Sequence, residues 1–244
     1  MQKIVASTVT ALAFGLLAPV VQAQSAAPES SLSFNAGVVN EYRYRGISQS
    51  RLDPAVQGGF DYADKSGLYV GAWGSTIKWI KDAGGDANVE IDLYGGYKGA
   101  VGDLAYDVGF LRYQYPSNKL AVDANTNEVY GALTFGPATL KYSHAISNLF
   151  GFADSKNSYY LDASATFDLG DGYSLVPHVG YQSVKNNSPY SYTDYALTLG
   201  KDLGNGLSAT ATAIGTNADK ALYVTPAGKF TGKNGLVLGL KYTF

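Results

Sequence analysis

The 244-residue chain contains no cysteine, one methionine, two tryptophans and two histidines. Without cysteine the fold is held by its hydrogen-bonded ladders and its surroundings, and thiolate metal sites and a cysteine nucleophile are excluded. Beyond the amino terminus no apolar run is long enough for a membrane helix, so an exported chain that spans a membrane must do so with strands. Charge is sparse and slightly acidic, 18 Lys and Arg against 20 Asp and Glu, which argues against nucleic acid as a partner. His144 and His178 have no neighbouring catalytic motif, and both read as wall or interface residues. What the chain does have is 20 tyrosines and 29 glycines, a balance suited to many strands, tight turns and rings at a polar boundary.

Lys3 precedes an apolar run through Leu12, Phe14, Leu16, Leu17 and Val20, which ends small-x-small at Val21-Gln22-Ala23. That is the pattern of a cleavable secretory signal, cut after Ala23. Ser7, Thr8 and Thr10 interrupt the run and no basic flank follows it, which argues against a retained helix. Cleavage leaves 221 residues with 17 basic and 20 acidic side chains. The expected organisation is residues 1–23 as signal peptide, 24–31 as a flexible periplasmic lead, and 32–244 as one β-domain.

The last ten residues show the organising pattern most plainly. Leu236, Leu238, Leu240, Tyr242 and Phe244 alternate with Val237, Gly239, Lys241 and Thr243, the period of a strand whose two faces meet different surroundings. The same alternation recurs along the chain. Leu32, Phe34, Ala36, Val38, Tyr42 and Tyr44 oppose Ser33, Asn35, Glu41, Arg43 and Arg45; Val56, Phe60 and Tyr62 oppose Gln57 and Asp61; Val89, Ile91, Leu93 and Tyr97 oppose Glu90, Asp92 and Lys98. Continued to the terminus, the count is twelve strands. Short glycine-rich turns at 64–67, 100–102, 136–137, 170–172 and 204–206 alternate strictly with longer polar stretches near 46–53, 79–87, 116–126, 147–157, 185–189 and 216–234.

This spacing predicts an all-β protein, a transmembrane antiparallel up-and-down β-barrel with short periplasmic turns and long outer loops. An even count puts both termini at one end, where the first and last strands can pair and leave no open edge. A soluble barrel would alternate too, but the export signal, the terminal aromatic and the loop asymmetry favour the membrane. Two places fit poorly: Pro177 inside a strand calls for a bulge, and parity slips around Phe110 and Leu111, with Tyr113 and Tyr115 on the wrong side.

Several segments resemble the TorF-type outer-membrane porin family, also called Gcw_chp: Tyr42-Arg-Tyr-Arg-Gly-Ile-Ser-Gln49, Pro54-Ala-Val-Gln-Gly-Gly-Phe-Asp-Tyr62, Gly71-Ala-Trp-Gly-Ser75 and Glu90-Ile-Asp-Leu-Tyr-Gly-Gly-Tyr97. The resemblance covers most of the mature chain. It implies a barrel in the outer membrane of a Gram-negative bacterium with a channel role, without an assigned substrate and without a catalytic residue to transfer. The carboxy-terminal strand ending in Phe244 likewise resembles the segment by which barrel-assembly machinery recognises outer-membrane barrels.

A twelve-strand barrel with strands ~4.8 Å apart and tilted by roughly 40° has a backbone radius of about 12 Å. That leaves a bore for ions and small polar solutes unless a loop folds in, and 216–234 is the loop considered for that role. The expected selectivity residues are Glu41, Arg43 and Arg45 near the outer mouth, facing Glu90, Asp92 and Gln57 across the passage; the alternative is that these charges pair along the wall. No catalytic residue, cofactor or metal is expected. Asp123-Ala-Asn-Thr-Asn-Glu128 begins like a calcium loop but lacks its glycine and distal acid, and reads as a solvated outer loop. Trp73 and Trp79 read as belt or packing residues in preference to a sugar platform. The competing functions are a closed barrel acting as adhesin or receptor through its loops and, more distantly, a barrel hydrolase.

Overall fold

Alternation of apolar with small or polar side chains commits each segment to a strand having one lipid-facing and one lumen-facing side. A computed structural model describes residues 30–244; the expected signal peptide and nearly all of the expected lead lie outside the described residues. The strands are β1 (Ser31–Val39), β2 (Arg43–Tyr44), β3 (Ile47–Ser48), β4 (Ala55–Ala63), β5 (Leu68–Thr76), β6 (Val89–Val101), β7 (Leu104–Gln114), β8 (Thr126–Phe135), β9 (Ala138–Ala145), β10 (Tyr159–Ala165), β11 (Phe167–Gly170), β12 (Tyr173–Ser183), β13 (Tyr192–Gly204), β14 (Leu207–Thr216) and β15 (Gly235–Thr243). Since β2 and β3 pair only with each other, and β10 and β11 are two parts of one stave, the wall has twelve staves.

Each stave pairs antiparallel with its chain neighbours, and β1 pairs with both β4 and β15, which closes the ring. The closing seam runs to the last residue. Phe34 and Phe244 exchange backbone hydrogen bonds at 2.8 and 2.9 Å, and their rings stack at 5.9 Å. The outward parity is the expected one, with Leu32, Phe60, Leu93, Leu133, Leu197 and Leu236 among its exposed members. Such a continuous apolar belt fits hydrocarbon and does not fit water.

The turns explain part of the glycine content. Asp171-Gly172 and Asn205-Gly206 carry positive φ at both central positions (50° and 77°, 53° and 81°), the two-residue geometry that matches strand twist. At the first turn, Ser66 through its hydroxyl and backbone N–H, and then Ser30, hydrogen-bond the Asp64 carboxyl and hold its pKa down to about 2. Inside the barrel, the hydroxyl ends of Tyr69, Tyr94, Tyr130 and Tyr160 lie over Gly96, Gly71, Gly109 and Gly180 of neighbouring staves, where any Cβ would collide with the ring.

Two expectations are corrected. β12 contains no bulge at Pro177: its register with β13 is unbroken, and the partner stave is interrupted instead, between β10 and β11, with the pairing offset kept on both sides. A residue without an N–H removes one rung, and the opposing stave yields there. Nor does parity slip in β7. Leu111 and Tyr113, with Tyr115 beyond, lie inward in regular alternation at 1–2% exposure, because the upper lumen they face is filled with protein.

The belt yields a depth-dependent test. Leu197→Arg, on the lipid side of mid-β13, is expected to cost about 2–4 kcal/mol of unfolding free energy in a bilayer, and its inward neighbour Thr198→Arg markedly less. Equal losses in denaturant titrations of the two would contradict the assigned faces.

Candidate functional site

The first strand stops at Val39, and residues 40–54 leave the wall and fold inward. Their centre is a two-residue hairpin in which Arg43 pairs with Ser48 and Tyr44 with Ile47. Arg45 and Gly46 form its tip, both at positive φ (46° and 78°). Arginine in that left-handed conformation costs roughly 1–2 kcal/mol, so the surroundings must hold it there. Gly46 touches the wall at β13 and β14, and a Cβ there would run into Asp194 and Thr216.

The Arg45 guanidinium supplies the hold. It donates to both carboxylate oxygens of Glu128 on β8, at 3.0 and 2.8 Å, and at 2.7 Å to the Gln182 amide oxygen on β12. It also lies 4.3 Å from the Tyr160 ring centroid, a cation–π contact. Tyr113 donates to Glu128 at 3.1 Å, and the Tyr44 and Tyr113 hydroxyls are hydrogen-bonded. At the hairpin's root Arg43 pairs with Glu41 at 2.6 Å and donates to the carbonyls of Gly46 and Lys233, each at 2.9 Å. The 217–234 loop grips the same hairpin from the side: Thr231 accepts from Ser48 N–H, while Ile47 clusters with Tyr192 and Ala218 against Tyr223 and Phe230.

Glu41, Arg43 and Arg45 are therefore on the inward hairpin and not on the wall of the first strand, and Tyr42 and Tyr44 point into protein instead of lipid. Tyr42 is 3% exposed, its ring edge-on to Trp73 at 5.4 Å. Trp73 thus packs in the lumen rather than in the belt. Glu90, Asp92 and Gln57 are on the inward wall where parity put them, but the expected opposition to the arginines is not formed. Glu90 accepts from Tyr42 at 3.0 Å, whereas Asp92 has neither carboxylate oxygen hydrogen-bonded. Gln57 donates to Ser75 at 3.4 Å. The partners that sequence reasoning missed are Glu128 and Gln182, which hold Arg45.

Below the hairpin the wall carries a second set of charges. His178, inward as expected, meets Asp162 at 2.6 Å and Asp194 at 3.6 Å, and Tyr160 donates to Asp194 at 2.9 Å. Lys98 faces Asp107 at 3.8 Å, and Lys141 lies over the Tyr130 ring at 4.1 Å. Glu41, Arg43 and Arg45 on the inward segment share the lumen with Lys98, Lys141, Lys241, Asp61, Glu90, Asp92, Asp107, Glu128, Asp162 and Asp194, which face inward by strand parity, an excess of carboxylates. His144 instead sits at the outer rim, bonded to Tyr142 and Asn157. Asp123 is bound up with Asn118 and Asn125 in an outer loop.

Two cavities flank the hairpin. A vestibule of about 540 Å³ opens among the outer loops, and a smaller space of about 120 Å³ lies beneath, beside Lys141, Asp162 and His178. Tyr44 and Arg45 line both, so they stand between the outer mouth and the lower lumen.

A closed twelve-stave wall with an apolar belt around a charged interior defines an outer-membrane type of β-barrel protein. The chain belongs to the Gcw_chp family, described as bacterial proteins of unknown function, which matches residues 22–244. No curated protein matches the sequence. Among solved structures, a KdgM porin aligns with a TM-score of 0.56 at 8% identity over 88% of this chain and 99% of that one. A NanC porin aligns with a TM-score of 0.56 at 11% identity over 87% and 99%. The COG4313 outer membrane channel from Pseudomonas putida F1 gives 0.51 at 11% identity over 89% and 96%. At these identities the likeness establishes the fold.

Arg45→Ala leaves the Glu128 side chain, 1% exposed, without its cation. The expected cost to hairpin docking is on the order of 3–5 kcal/mol, read as lost hydrogen-exchange protection at the Tyr42–Gln49 amides with wall amides unchanged. Adding Glu128→Gln should recover part of it. Protection retained in the single variant would mean that the hairpin is held by something else.

Proposed function

We propose that the mature protein is an outer-membrane channel for passive passage of small polar solutes or ions, with the inward hairpin as its constriction. The observation that carries this reading is the position of Tyr44 and Arg45 between the two lumenal cavities. A purely structural barrel has no need of a charged segment across its bore, and a channel that must discriminate does. The porin fold of the solved relatives supports it. The surplus of lumenal carboxylates supports a preference for cations, because fixed negative charge in a narrow low-dielectric passage raises the local cation concentration.

Glu41, Arg43, Arg45, Gln57, Glu90 and Asp92 remain the proposed selectivity residues in a changed arrangement. The arginines, each beside a carboxylate, moderate the field at the hairpin, while Glu90 and Asp92, each 1% exposed, add negative charge to the wall only when ionised. Removal of residues 1–23 on export, the TorF-type porin assignment within the family, and recognition of the Phe244 strand by barrel-assembly machinery belong to the same proposal. No enzymatic role is part of it.

The test is single-channel recording of the mature protein in a planar lipid bilayer. Stable steps favouring cations are expected, with the preference rising for Arg43→Gln/Arg45→Gln and falling for Glu90→Gln/Asp92→Asn. Replacing residues 41–52 by a short Gly-Ser linker should raise conductance several-fold. Unchanged selectivity in the arginine variant would remove those residues from the constriction. Silence from folded protein, with and without the hairpin, would overturn the channel and turn attention to adhesin- or receptor-like function of the loops.

A further inference from the structure

We propose that the outer vestibule is a binding site for an uncharged, largely apolar ring compound of the phenol class. The inference rests on the channel reading, and adds to the ions and small polar solutes proposed there a weakly polar ring held at the outer mouth.

The first argument is size and surface. A cavity of about 540 Å³ falls inside the span of roughly 300–1,000 Å³ typical of small-molecule sites. Its walls carry the rings of Trp79, Tyr115, Phe150, Phe152, Tyr190 and Tyr223. These rings are held by one another: Trp79 stands edge-on to Tyr115 at 5.1 Å, Phe152 lies 4.6 Å from Tyr190, and Tyr190 meets Tyr223 at 5.8 Å. Pre-set aromatic faces bind without much ordering cost, and they favour flat apolar partners.

The second argument is that the charged and amide side chains of the lining are already engaged, while the buried Trp79 indole N–H has no partner and can meet a single hydroxyl. Arg45 is taken by Glu128 and Gln182, and Asp82 by Arg51. The Tyr223 hydroxyl donates to the Tyr190 carbonyl at 2.6 Å, and the Ser48 hydroxyl accepts from Leu52 N–H at 2.8 Å. The Gln182 amide N–H groups go to the carbonyls of Tyr159 and Ser183. An ion entering here would shed its hydration against no unspent charge, and a sugar would leave several hydroxyls without partners. A ring bearing a single hydroxyl loses little and buries most of its surface.

Isothermal titration of p-cresol, uncharged at pH 7 because phenols ionise near about pH 10, into the mature protein in lipid nanodiscs tests this, with protein-free discs subtracted. Glucose and benzoate serve as the polyol and anion comparisons. Saturable heat at one site per chain is expected for p-cresol and for neither comparison. Ala121→Phe, which fills the vestibule from an exposed lining position, should weaken binding roughly tenfold or more. Phe152→Ala, which removes one wall ring, gives a second variant and should weaken it too. Non-saturating p-cresol heat, heat unchanged in both variants, or tighter binding of glucose or benzoate would overturn the site. Conductance measured separately without p-cresol keeps the two readings apart. A conducting protein lacking saturable heat refutes the binding site alone; saturable heat without conductance supports the site and refutes the channel.

Discussion

A chain in hydrocarbon cannot leave backbone N–H or C=O groups unpaired, and everything in this molecule follows from closing a ladder under that constraint. Twelve staves meet that demand because β1 finds β15 at the far end of the sequence, with Phe34 and Phe244 locking the last rung. Closure fixes which side of every strand is wet. It thereby forces apolar residues outward and concentrates the charged and hydroxyl-bearing side chains in a lumen that water alone would otherwise fill.

The lumen is not left to water. Its upper part is occupied by a segment of the chain's own first loop, held by a buried Arg45–Glu128 pair. Removing either partner of such a pair is costly, whereas replacing both is not. The pair therefore specifies where the hairpin sits more than it adds to total stability. It also neutralises Arg45 locally, as Glu41 does Arg43, and the charged groups of the vestibule above stay in pairs.

Much of this was legible in residues that obey one rule. Leu32, Phe34 and Val38, the even positions of 236–244, and the inward Glu90 and Asp92 all follow from period-two alternation under a wet and a dry face. The hairpin was not legible, for the same reason. Tyr42 and Tyr44 continue the parity of Val38, and alternation cannot tell a strand in the wall from a strand folded inside it. Its turn signal is Arg45-Gly46, weaker than Asn-Gly because arginine seldom adopts positive φ. Glu128 and Gln182 looked like ordinary inward residues; only the three-dimensional path of residues 40–54 gives them a partner. The apparent parity slip at Tyr113 and Tyr115 was the one trace of the filled lumen in the sequence, since large rings facing inward need something to pack against.

The tyrosines laid over glycines have a consequence for the proposed channel as an electrical object. Rings that cover a neighbouring backbone without a Cβ are packed on that side, which restricts their rotamers and stiffens the lower wall. In the proposed channel, open-channel current noise would then record excursions of the hairpin more than those of the wall.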